Sequence, residues 1–125
     1  MPTWKELADD SLRASERLFQ EGYFRSSVNR CYYAAYSSLT AALVSRGITF
    51  GRGWNNPPHE QLPQLVRGNL PMADWQKLQV TRAIRRLRLH REDADYRPGR
   101  LVDRMIALEC IRDSRMIVQR AGQIR

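Results

Sequence analysis

A chain of 125 residues, 42% of them hydrophobic, has material for one packed core and too little for two, so it reads as a single globular domain over 1–125 and not as a disordered tail. Its 21 lysines and arginines against 13 acids leave a net charge of +8, which favours phosphate backbones or acidic proteins as partners. Two cysteines with no CxxC or Cys/His cluster exclude a disulfide scaffold and a zinc site, and no run is long and apolar enough to span a membrane.

The first ten residues, MPTWKELADD, are acidic, which argues against a signal or transit peptide. The expectation is a cytoplasmic protein without cofactor or metal, with Cys31 and Cys110 as reduced, buried, small hydrophobes. In chain order the pattern is helical almost throughout. Trp4, Leu7, Ala8, Leu12, Ser15, Leu18 and Phe19 recur on one helical face, with Pro2 near the start and Gly22 just past the end. A second helix follows over about 24–46, striped by Phe24, Val28, Cys31, Tyr32, Ala35, Leu39, Ala42 and Leu43, and closed by Gly47 at its C′ position. ITFGRGWNNPP (48–58) holds two glycines and two prolines and reads as a loop. Trp54 within it is either an exposed contact or a cover over the bundle.

A short helix is expected from about His59 to Val66. A long one runs from Met72 to about Ala94, with Trp75, Leu78, Val80, Ala83, Ile84 and Leu87 apolar, before Pro98 and Gly99 break it. The last spans about Arg100 to Gly122. Four long helices with mostly short connections make an all-α, up-and-down bundle of four or five helices.

The charge is unevenly spread: nine bases face four acids between Lys77 and Arg104. Arg82, Arg86, Arg85 and Arg88 lie three or four residues apart and form a ridge. It tracks a nucleic-acid backbone, forms a solvated face, or docks an acidic protein.

Three stretches carry a resemblance. SVNRCYYAAYSSLTAALVSRGI (27–48), PHEQL (58–62) and LHREDADYRP (89–98) resemble the HEPN domain, in the branch with Tyr-Tyr-Ala on its second helix and Arg-x-x-Ala-Asp-Tyr ending a later one. The resemblance implies a helical bundle that dimerises through its helices. It also implies, for many members, a metal-independent endoribonuclease in which an Arg and a His four to six residues on converge across the dimer. Such a pair activates the ribose 2′-hydroxyl and stabilises charge on phosphate. Many members are toxins or anti-phage effectors restrained by a minimal nucleotidyltransferase, while others only bind RNA, nucleotide or protein.

The Arg/His count is met twice, by Arg85 with His90 and by Arg52 with His59. Arg86 follows Arg85 where catalytic members place a small polar residue, and five residues of unbroken helix turn Arg85 and His90 about 140° apart. The resemblance aligns Arg91 with the family arginine, with Asp95 or Tyr96 standing where the catalytic branch has its histidine. Arg91 continues the stripe of Val80, Ile84 and Leu87, so it faces the bundle or a dimer groove and needs Asp95 as an i,i+4 partner. Tyr96 then covers the bundle end, ring inward and hydroxyl outward.

Tyr32 is expected in the core, with Tyr33 and Tyr36 off the stripe's centre as interface or cleft residues, where aromatic rings stack on unpaired bases. Arg30 falls where the family puts a polar residue facing the same groove. His59, at a helix start, caps or packs. The catalytic candidates are therefore Arg85, His90 and Arg91, and the binding candidates Arg30, Tyr33, Arg82, Arg86, Arg88, Asp95 and Tyr96. Three functions compete. The first is an RNA- or nucleotide-binding or interaction component of a prokaryotic toxin–antitoxin or defence module, homodimeric and paired with a nucleotidyltransferase. The second is a ribonuclease using the Arg/His pair, and the third an adaptor docking an acidic protein. Tyr96 is in addition a candidate for modification by a partner.

Overall fold

The computed structural model describes residues 2–124, Arg52 by its backbone only. It is all-helical: α1 (Trp4–Gln20), α2 (Phe24–Ser45), α3 (Leu62–Asn69), α4 (Asp74–Tyr96) and α5 (Arg104–Gly122), with 3₁₀ turns at Gly51–Gly53 and His59–Gln61. Helices α1, α2, α4 and α5 form the up-and-down bundle, α2 packs against all three others, and α3 leans on α2 and α4.

Local chemistry sets the boundaries. The Thr3 side chain accepts from the Glu6 N–H at 3.1 Å and starts α1. Gly22 sits at φ 85° while its N–H reaches the Phe19 carbonyl and that of Tyr23 reaches Leu18, the paired bonds of a Schellman stop. Gly47, at φ 76°, ends α2 in the same way, with Gly47 bonded to Val44 and Ile48 to Leu43.

Helix α5 begins four residues later than the sequence pattern suggests. Asp103 caps it by accepting from Ile106 N–H at 3.0 Å, and the Pro98–Gly99 break needs the intervening residues to turn the chain. The short helix is also shifted. His59–Gln61 is a 3₁₀ turn, and α3 runs from Leu62 with proline in its first turn to Asn69.

Of the α2 stripe, Val28, Cys31, Tyr32, Ala35, Leu39, Ala42 and Leu43 are buried and Phe24 is partly buried against them, with Val80, Ala83, Ile84 and Leu87 of α4 and Ala107, Cys110, Ile111 and Ile117 of α5. Small residues let the helices approach. Ser27 Oγ donates to the Ser15 carbonyl of α1, and Ser114 Oγ to the Cys31 carbonyl, both at 2.8 Å. Both cysteines are free and buried. Burial pushes the Cys31 thiol up to about 11 and raises that of Cys110 further, which disfavours the thiolate at both.

Two of the expected stripes are only partly buried. Leu7 of α1 is exposed, as are Trp75 and Leu78 of α4, because the neighbouring helices cover one side of each helix and these residues lie off it. No described helix is long and apolar enough to cross a membrane.

Candidate functional site

Where the start of α2 meets the end of α4, an open cleft of about 630 Å³ is lined by Arg25, Asn29, Arg30, Asp95 and Tyr96. Its geometry rests on one clamp. The last carbonyls of a helix have no partner within it and carry partial negative charge. Arg25 of α2 supplies the missing donors for α4. Its Nη1 donates to the carbonyls of Asp93, Ala94 and Arg97 at 3.0, 3.2 and 3.4 Å, and its Nη2 to Pro98 at 3.2 Å and to Arg100. The clamp pins the Arg-x-x-Ala-Asp-Tyr turn to the first turn of α2.

Within that turn Arg91 is the hub. Its Nε donates to Asp95 Oδ2 at 3.0 Å and its Nη2 to the hydroxyls of Tyr33 and Tyr96 at 3.1 and 3.2 Å. The guanidinium lies 5.2 to 5.9 Å from the ring centres of Tyr96, Tyr33 and Tyr32, within cation–π range. Burial opposes its charge, but the oxygens of Tyr33, Tyr96 and Asp95 outweigh this and raise its pKa. Asn29 Nδ2 joins from α2 with a 2.8 Å bond to the same Asp95 oxygen. Its Oδ1 takes both Nε and Nη2 of Arg30, at 2.9 and 2.7 Å. Arg30 also packs against the Tyr33 ring, 5.3 Å from its centre. Asp95, the one acid among the described residues that line the cleft, is thus neutralised by Arg91, while Arg30 is bonded to an amide oxygen and forms no salt bridge among the described residues. The described lining of the cleft carries net positive charge.

Behind Arg91, Tyr32, Tyr33, Tyr36 and His59 form an aromatic nest, with His59 4.7 Å from Tyr36 and 5.5 Å from Tyr32 between ring centres. The Tyr32 hydroxyl and His59 Nδ1 share a hydrogen bond. The Tyr36 hydroxyl donates to the Pro57 carbonyl and accepts from Asn56 Nδ2 at 2.9 Å. Burial, then the charges of Arg91 and Arg88, lower the His59 pKa and so favour the neutral ring. Burial likewise raises the pKa of both Tyr32 and Tyr36.

The structure joins Arg30, Tyr33, Arg91, Asp95 and Tyr96 in one network and leaves the other predicted residues outside it. Helix α4 is unbroken from 74 to 96, so Arg85 and His90 project apart within one chain. Arg85 is exposed and His90 half-buried. In the other numerical pair, Arg52 and His59, the Arg52 side chain lies outside the described residues. The ridge is partly consumed: Arg86 makes a bidentate pair with Asp113 of α5 at 2.9 and 3.1 Å, and Arg88 pairs with Glu92 at 3.2 Å.

Two tyrosine expectations are corrected. Tyr36 is 3% exposed, a core residue and not a cleft one, because residues 56–59 fold over α2 and supply its hydrogen bonds. Tyr96 is 67% exposed, ring outward and hydroxyl turned in to Arg91, the reverse of the expected pose, because the guanidinium offers a donor on the inner side. Arg25 and Asn29 escaped the sequence reading. The available signal was that Arg25, Asn29, Tyr33 and Tyr36 recur every three or four residues as a polar stripe beside the apolar one.

A larger groove of about 850 Å³ between the start of α1, the end of α2 and the loop to Asn55 holds exposed Trp54 and, among the described residues, one ionisable side chain, Lys5. Among the described residues no group of His, Cys, Asp and Glu is placed to hold a metal ion.

No curated protein matches the sequence. The family model for the HEPN domain matches residues 1–124, nearly the whole chain and all five helices. The chain therefore belongs to the HEPN domain family.

Proposed function

We propose that this HEPN protein binds RNA or a nucleotide in the α2–α4 cleft, with a phosphate on Arg30 and a base on the outward ring of Tyr96. The observation that carries this reading is the pairing of a guanidinium that forms no salt bridge among the described residues with a two-thirds exposed aromatic ring across one cleft. Phosphate neutralisation supplies affinity, and a ring fixed by its hydroxyl offers a stacking surface at little entropic cost. Arg91 acts as a positioning residue: its donors hold Asp95, Tyr33 and Tyr96 in place.

Binding is favoured over cleavage because Arg91 is committed to three oxygens and no histidine completes its motif. The imidazole of the aromatic nest, His59, spends Nδ1 on Tyr32. The family habit of dimerising and of pairing with a nucleotidyltransferase extends the proposal to a homodimer acting in a prokaryotic toxin–antitoxin or defence module.

Fluorescence anisotropy of a labelled single-stranded RNA tests the reading. Binding should weaken as salt rises, and Arg30→Ala and Tyr96→Ala should each weaken it about tenfold or more while the fold survives. Binding unchanged in both variants rejects the cleft. Cleavage of the RNA in EDTA that is lost in both His90→Ala and Arg91→Ala would instead establish the ribonuclease.

A further inference from the structure

Helix α4 carries a second stripe, turned away from the core. Trp75, Leu78, Arg82, Arg85 and Leu89 follow one another at three- and four-residue steps, so residues 75, 82 and 89, and 78 and 85, repeat every seven. At about 100° per residue all five fall within about 80° of arc. The centre of that arc lies opposite Val80, Ala83, Ile84 and Leu87, which face the bundle. Every member of the stripe is exposed, Trp75 and Leu89 by 61% and Leu78 by 45%. Single exposed apolar residues need no explanation, but three on one helical seam at coiled-coil spacing do.

The centre of the seam identifies its occupant. Arg86 and Arg88, on the flanks, are held by Asp113 and Glu92, whereas Arg82 and Arg85 form no salt bridge among the described residues. Trp75 is backed by Arg120, whose guanidinium lies 4.9 Å from its ring centre and donates to Gln79, so the ring is fixed and its surroundings are basic too. A second copy of the chain would set Arg82 and Arg85 against the same arginines inside an apolar seam, a juxtaposition that opposes association. An RNA backbone would answer the arginines but leave Leu78 and Leu89 without a partner. An amphipathic helix with leucine-like residues at its ends and carboxylates at its centre answers all five positions over about 21 Å, roughly four turns.

We infer that the outer face of α4 docks an acidic amphipathic helix of a different protein, apolar at both ends of the seam and carboxylate-bearing opposite Arg82 and Arg85. None of these five residues lines the cleft, so different variants test the two proposals and each can fail without the other.

The test uses the full chain and two synthetic helices of about four turns. Each has leucine at the outer positions of one face, with glutamate at the central positions in one peptide and lysine in the other. Anisotropy should show the glutamate peptide binding about tenfold tighter or more than the lysine peptide. Arg82→Glu combined with Arg85→Glu should reverse that preference, and Leu89→Asp should abolish binding of both. All these residues are exposed, and circular dichroism verifies that the variants fold. Failure of both peptides to bind, or equal binding of the two, overturns the inference. So does sedimentation of the protein alone as a dimer that Leu89→Asp dissociates, which would make the seam homotypic. So does displacement of the glutamate peptide by an oligouridylate that itself requires Arg82 and Arg85 but not Leu89, which would make it a polyphosphate surface.

Discussion

Asn29 of α2 and Arg91 of α4 donate to the same oxygen of Asp95, at 2.8 and 3.0 Å. One carboxylate therefore fixes both the register of the two helices and the rotamer of the arginine that holds Tyr33 and Tyr96. An isolated i,i+4 ion pair contributes little. Here the carboxylate also accepts from a second helix, and its loss leaves two donors without an acceptor.

Asp95→Ala should therefore destabilise the fold by about 1–2 kcal/mol, more than an exposed pair of this spacing would. Urea denaturation of this variant beside Asp10→Ala, which breaks the exposed Arg13–Asp10 pair, checks the contrast. Equal losses in the two would reduce Asp95 to an ordinary surface acid.

Arg25→Ala should release the end of α4. The cost should be about 1–2 kcal/mol, from lost charge-assisted bonds to helix-end carbonyls. Amide exchange should accelerate most over 94–100, and Arg25→Lys should rescue only part of the protection, because an ammonium cannot span carbonyls from Asp93 to Arg100 as the planar guanidinium does.

His59 makes the fold sensitive to acid. Burial and the charges of Arg91 and Arg88 lower its pKa below the ordinary 6.5, so the folded state favours the neutral ring and the unfolded state takes up the proton first. That stability is fully present above pH 6.5 and is lost as pH falls through the lowered value. Denaturation midpoints for wild type and His59→Gln should converge between pH 7.5 and pH 5; parallel lines would exclude His59 as the titrating group.

Leu87→Ala should cost about 2–5 kcal/mol by opening a cavity, because Leu87 is fully buried between α4 and the rest of the bundle. Leu89→Ala, two residues on and exposed, should cost about 0.5 kcal/mol or less. Chemical denaturation of the pair separates the face of α4 that holds the fold from the face free for a partner.

Much of the fold was legible because its signals are local. Helical periodicity, Gly22 and Gly47 as stops, and the Pro98–Gly99 break need no tertiary information. The Arg91–Asp95 pair was legible for the same reason, since both partners lie on one turn. Tyr36 was misplaced because its cover arrives from residues 56–59, a loop whose path periodicity does not encode. The pose of Tyr96 depended on where the Arg91 fork points once Asp95 has taken Nε. Arg25 shows the limit most clearly. Its partners are carbonyls 68 to 75 residues away, so the polar stripe of α2 places Arg25 on a face without saying what it holds.

Entry of an anionic nucleic acid between Arg30 and Tyr96 can be followed by backbone-amide NMR, titrating the ¹⁵N-labelled protein with a short single-stranded RNA. Shifts should concentrate at 25–33 and 94–97 and be absent in Arg30→Ala. Shifts confined to the outer face of α4, or no shifts at all, would contradict such entry.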